Sequence, residues 1–261
     1  MWISLRFQLK CLFAGMIMAT CSMAAMSQER ETYSNLDISI QYFQLKDQRN
    51  YGLVFNGGTL ELAYLLQKAS ANKIMQYQAA FGFGPGFSKG IASINFRLKP
   101  VDLAYGFDIA GNDKYTLLLG PYLSMNYYFQ LYPELQSGHA LWFTLYDIGP
   151  RLILETGLWD QEFRLNFSNS LAGIASRPEE LNETYYYTLN FFDLLGKMHS
   201  NFKAGSYNLL NHTRIELEWK NLGKGRNSLA YQFEYFNYKQ EPRLDYLAHT
   251  LTYRLKLGGR K

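Results

Sequence analysis

The chain has 261 residues, 26 Lys+Arg against 22 Asp+Glu for a formal net charge of +4, and 16% aromatic residues led by 21 Tyr and 18 Phe. Its basic residues are scattered rather than run together, which argues against a nucleic-acid partner. Two cysteines and four histidines, with no cluster of either at metal-ligand spacing, exclude a zinc centre, and no cofactor is expected.

The first residues fall into three zones. Met1–Lys10 carries Arg6 and Lys10 and no acid, Cys11–Thr20 is apolar, and Ser22-Met23-Ala24-Ala25 supplies small residues at the spacing a signal peptidase reads. This layout predicts a secretory signal peptide over residues 1–25, cleaved after Ala24 or Ala25. The apolar run is well short of the roughly 20 residues that a spanning helix needs. Met18-Ala19-Thr20-Cys21 is a loose lipobox, so lipidation at Cys21 is the alternative. Cleavage after alanine removes Cys11 and Cys21 and leaves residues 26–261 as one domain without disulfides, stabilised by other means.

Period-two alternation then sets the strands. Strands are predicted at 36–46, 51–67 and 74–83. In the third, Met75, Tyr77, Phe81 and Phe83 oppose Gln76, Gln78, Ala80 and Gly82. Gly84-Pro85-Gly86 reads as the start of a connection; it has the glycines of a phosphate loop but no Lys-Ser/Thr after them. Strands follow at 91–98 and 101–109, with Lys99-Pro100 as a tight turn between them, because proline is excluded from a ladder interior. Further strands are predicted at 115–129, 140–157 and 162–171. The stretch 172–206 is the least regular, and 184–195 reads as a strand or as a helix covering one end, with the strand favoured. Strands at 207–220, 229–238 and 246–257 complete a count of twelve, with ten as the fallback.

Strands with one apolar and one polar face, Tyr-rich composition and no long apolar helix predict an all-β fold: a transmembrane antiparallel up-and-down β-barrel. The apolar face meets lipid and the polar face lines the lumen. Together with the leader and a final strand carrying Tyr246, Leu251, Tyr253, Leu255 and Leu257, the chain resembles Gram-negative outer-membrane β-barrel proteins, and its Tyr and Phe density resembles those of Bacteroidota-type bacteria. The resemblance implies residence in the bacterial outer membrane with lipid as the surrounding partner. Its departure is the tail Gly258-Gly259-Arg260-Lys261, where such proteins often end on an aromatic residue.

By parity the lumen face carries Arg97, Asp102 and Asp108 on one wall, Glu162 and Arg164 on another, and Arg214, Glu216, Glu218, Lys220, Glu234, Arg254 and Lys256 on the rest. Mixed charges in a narrow low-dielectric space are costly unless paired or wet. Two readings follow: a lattice of ion pairs filling a small barrel, favoured at this strand number, or a narrow path for a small solute. A third reading is a lipid-modifying hydrolase. It needs a nucleophile beside a base, and Ser168 with His212 is the one conceivable pair; no family motif supports it. Among the remaining histidines, His139 and His249 suit interfaces and His199 a loop. The structural or interaction role is the leading expectation, with 172–206 as the site for an envelope protein partner.

Overall fold

The computed structural model describes residues 31–50, 52–70, 72–112, 114–133, 140–158, 161–178, 191–222 and 227–260. The leader with Cys21, His139 and most of the segment 184–195 lie outside them. Among the described residues there are twelve strands: β1 (Glu31–Asp47), β2 (Val54–Ser70), β3 (Lys73–Ser88), β4 (Ile91–Asn112), β5 (Tyr115–Leu131), β6 (Ala140–Leu158), β7 (Gln161–Asn169), β8 (Ala172–Ser176), β9 (Lys203–Ser206), β10 (Leu210–Asn221), β11 (Asn227–Tyr238) and β12 (Leu244–Arg260). A helix, α1 (Phe191–Met198), lies between β8 and β9.

Ten strands close a ring. Each pairs antiparallel with the next from β1 to β7, β7 then pairs with β10, and β12 returns to β1. The closing seam runs from Thr32 opposite Arg260 to Asp47 opposite Leu244. Closure leaves no free ladder edge, which a lipid environment demands of a sheet. The ring therefore has the smaller of the two strand numbers read from the sequence, and β8 and β9 stand outside it. β8 pairs with the first half of β6 and with β9. It continues the line of β7 past Ser170, where the Ser170 N–H donates to the His212 carbonyl (2.9 Å) and the His212 N–H donates to Ser170 Oγ (2.8 Å).

Two predicted breaks are continuous strand. Lys99-Pro100 is not a turn: β4 runs through it, with the register shifting between Leu98 and Val101. A bulge absorbs the missing proline N–H and adds a residue, so the inward positions change from odd (Arg97, Lys99) to even (Asp102, Ala104). Gly84-Pro85-Gly86 likewise lies within β3 rather than in a connection. Where 184–195 is described, from residue 191 on, it is helix and not strand.

The two faces of the wall differ sharply. Outward side chains include Ile38, Ile40, Leu60, Leu62, Phe81, Phe83, Leu217 and Leu251, all between 44% and 65% exposed. An apolar belt around the whole ring has no place in water and fits a hydrocarbon solvent. Met75, on the same face, is covered, flanked by Lys68 and Tyr105 on the adjacent strands. The inward face holds buried Asp37, Ser39, Gln41, Glu61, Arg97, Asp102, Ser124 and Asn126.

The ends differ too. Connections of two residues join β2 to β3, β4 to β5 and β6 to β7 at the end that also holds both termini of the ring, against a single one between ring neighbours, β3 to β4, at the other. The longest connections, 132–139 and 177–202, lie at the other end. Outer-membrane barrels place their short turns on the periplasmic side, which orients the molecule. The described end of the 177–202 excursion, from Met198 to Phe202, lies against the outside of the wall. Met198 packs with Ala140 and Trp142, and Tyr127, Phe129 and Leu131 adjoin them. Tyr127 Oη lies 2.9 Å from His199 Nε2 and 2.5 Å from Tyr146 Oη, and the Phe202 ring is 5.3 Å from that of Tyr146.

Candidate functional site

The interior is layered along the barrel axis. Toward the long-loop end it is apolar: inward Phe43, Phe143, Leu145, Phe236, Leu244 and Tyr246 form one cluster, with Phe143 and Phe236 ring centroids 4.6 Å apart. A cavity of ≈ 50 Å³ lies among Phe43, Tyr128, Phe143 and Tyr246. Above it, Arg177 at the start of the excursion reaches Asp47 at 2.5 Å and the Pro242 carbonyl. Those contacts tie the excursion to the end of β1 and to the connection between β11 and β12.

Below the apolar cluster a chain of polar contacts crosses the ring. Tyr122 of β5 donates its hydroxyl to Asp147 Oδ2 of β6 at 2.6 Å. The same oxygen lies 3.1 Å from His212 Nδ1 of β10, and His212 Nε2 lies 2.8 Å from Glu234 Oε1 of β11. Arg97 of β4 donates to that Glu234 oxygen at 2.6 Å, and its guanidinium sits 5.0 Å from the Tyr128 ring centroid. The side chains of Asp147, His212 and Glu234 are all 0% exposed. Carboxylates only accept, whereas a neutral imidazole has one donor and one acceptor. Two carboxyl groups facing the two nitrogens of one imidazole must therefore share at least two protons with the ring, and the arrangement favours one on each nitrogen.

The next layer centres on Asp102. Arg151 donates to its Oδ1 at 2.7 Å and Arg214 donates to its Oδ2. Both guanidinium groups lie against the Tyr122 ring, at 5.3 and 5.0 Å. Further toward the short-turn end, Arg254 joins three carboxylates: Asp37 (3.0 Å), Glu218 (2.8 Å) and Glu216 (3.7 Å). Arg164 pairs with Glu155 and Glu218 and donates to Gln67 at 2.7 Å, and Lys220 donates to Glu155 at 2.7 Å. This end opens into a polar vestibule of ≈ 310 Å³ lined by Tyr33, Arg164, Glu218, Lys220, Arg254 and Lys256, among others.

The structure thus brings Arg97, Asp102, Arg164, Arg214, Glu218, Glu234 and Arg254 together as buried charges, with Glu216 half-buried at 18%. Four expected lumen residues are not among them: Lys220 is partly exposed where it meets Glu155, and Lys256 is exposed at the rim. Asp108 and Glu162 share the inward parity but are exposed, because they lie near the rim where the wall ends. Ser168 is buried on β7, but it is not a partner of His212: both imidazole nitrogens are taken by Asp147 and Glu234. The serine–histidine pair is therefore not formed. His249 faces outward and meets the Tyr231 hydroxyl at 2.6 Å. His199 follows α1 on the outer flank.

Sequence reasoning missed Asp37, Glu61, Lys99, Asp147, Arg151 and Glu155. Asp37 lay in plain sight on the polar parity of the first strand. Lys99 was hidden by the turn reading of Lys99-Pro100. Asp147 shares parity with Phe143 and Leu145, so a polar-inward rule had no purchase there.

A closed antiparallel ring with an apolar exterior and a polar, charge-paired interior defines a transmembrane β-barrel of the bacterial outer-membrane type. No family model and no curated protein matches the chain. Among solved structures it is similar to an outer-membrane channel from Pseudomonas putida F1, at 9% identity over 86% of this chain and 95% of that one, TM-score 0.39. It is similar also to the translocator domain of the autotransporter NalP from Neisseria meningitidis, at 5% identity over 97% of each chain, TM-score 0.41. Neisserial surface protein A is a third, at 9% identity over 86% and 97%, TM-score 0.35. At such scores the architecture stands on its own strand pairing.

Proposed function

We propose that this outer-membrane barrel is a closed wall element rather than a pore, and that it serves as a structural or interaction subunit of the envelope. The observation that supports this is the chain Tyr122–Asp147–His212–Glu234–Arg97, contributed by five strands and lying beneath an apolar cluster. A solute would have to break several buried charge-assisted contacts at once to pass. The partner surface in this reading is 172–206, of which Met198, His199 and Phe202 rest on the outer flank at the long-loop end, where a second envelope protein can reach it.

Single-channel recording of the purified barrel in a planar bilayer tests the closure. The expected record is a flat baseline; steady openings would overturn the reading. Replacing 177–202 by a short turn tests the partner site. The shortened protein should keep its heat-modifiable gel mobility and lose co-purification with its envelope partner. Loss of heat-modifiability would instead place the segment in the folding of the wall.

The narrow-channel reading keeps one observation in its favour, the vestibule at the short-turn end. In that reading the vestibule is half of a path whose other half is closed by the apolar cluster, and the same recording decides it.

A further inference from the structure

Between the crossing chain and the vestibule lies a second cavity of ≈ 50 Å³, lined by Asp102, Arg151, Arg214, Glu216 and Arg254 together with the amides of Gln76, Gln78, Asn166 and Gln232. One water needs roughly 10–15 Å³ of such space, so the cavity has room for a small ion and a water or two. We propose that it binds a small monovalent anion, of halide or formate size, from the periplasmic side.

Three observations carry this. First, Arg151 and Arg214 share one carboxylate, Asp102, so two guanidinium charges stand over a single negative one. Second, the other charged groups of the lining are engaged elsewhere: Glu216 lies 3.7 Å from Arg254, and Arg254 also meets Asp37 and Glu218, so among the described residues Asp102 is the one carboxylate in ion-pair contact with Arg151 or Arg214. Partly compensated guanidinium charge in a low-dielectric interior is expensive, and a counter-ion is the simplest remedy. Third, Nε and Nη2 of Arg214 are buried and have no hydrogen-bond partner among the described residues. Those two N–H groups share one edge of the guanidinium, the geometry that grips an anion side-on.

Access is built in. Arg254 lines both this cavity and the ≈ 310 Å³ vestibule, so an anion entering at the short-turn end passes one arginine to reach the next pair. The apolar cluster closes the other side. The site is a terminus rather than a station on a path, and its occupancy does not depend on whether the barrel conducts.

The test is chloride binding to the full chain in detergent, at constant ionic strength made up with a bulky organic sulfonate. The chloride NMR linewidth should show saturable broadening that bromide competes away. Arg151→Gln should weaken binding by at least about tenfold. Glu216→Gln keeps the side-chain shape and removes one carboxylate from the lining, so it should tighten binding by roughly tenfold, the effect of a unit charge a few ångströms away. If Arg151→Gln does not fold, Glu216→Gln decides alone. Absence of saturable, bromide-competed broadening in the natural protein would overturn the proposal and leave water as the occupant. An affinity unchanged in Glu216→Gln would place the binding elsewhere and overturn it equally.

Discussion

Arg97 and Glu234 meet at 2.6 Å across the barrel although 137 positions separate them, and their side chains are 5% and 0% exposed. Neither residue has water to fall back on. Removing one partner of such a pair leaves the other charge stranded, at a cost of about 3–5 kcal/mol. Arg97→Met should lose that much in urea unfolding from phospholipid vesicles. Adding Glu234→Gln should recover most of it, because the glutamine carbonyl still accepts from His212 while the stranded charge is gone. A double variant as unstable as the single would show that the charge is not the source of the loss.

The His212 ring lies between two acceptors, at 3.1 Å from Asp147 and 2.8 Å from Glu234. Nitrogen-15 labelling of histidine in the folded protein should show protons on both ring nitrogens of His212. His212→Phe removes both donors and should destabilise by several kcal/mol, on the scale of about 1–3 kcal/mol per stranded acceptor. A single-proton tautomer in the spectrum would mean that one of the two carboxyl groups carries the proton instead.

Strands approach very closely at Gly120, where an added Cβ would fall 1.7 Å from the Tyr105 carbonyl oxygen of the neighbouring strand. Gly120→Ala should therefore block pairing of β4 with β5 locally and abolish heat-modifiable mobility. Gly157→Ala, whose nearest neighbour would be 3.9 Å away, is the matched control and should assemble normally.

On the outer flank, Met198 is 8% exposed and packs with the 4% exposed Trp142. Met198→Lys puts a charge against that contact. Limited proteolysis should then cut within 177–202 at least about tenfold faster, while the barrel itself stays resistant. Equal cutting rates would show that α1 is held by something other than this contact.

The alternation of apolar and polar residues made the wall legible because one face meets lipid and the other the interior. It fails where that contrast fails. Around 127–131 and 140–146 the outside is covered by Met198 and the residues after it, and the inside is the apolar cluster, so Trp142 and Phe143 are both buried although they point in opposite directions. The Asp147 that anchors His212 sits at the edge of this region and carried no signal. Lys99-Pro100 misled for a different reason. A proline in a strand reads as a stop, but a bulge tolerates it, and only the change of inward parity on either side betrays the continuity. Ser168 and His212 share inward parity on neighbouring strands; what parity cannot give is the distance between side chains, and the carboxylates of Asp147 and Glu234 occupy the ring.

The seam between β1 and β12 joins the first strand of the ring to the last, from Thr32–Arg260 to Asp47–Leu244. Integrity is therefore decided by β12, the last strand of the ring in chain order. A nascent chain released before Leu244 is not a smaller cylinder but a curved sheet with two raw margins, each able to capture another chain. Envelope proteases would see such a product as open and the closed ring as sealed.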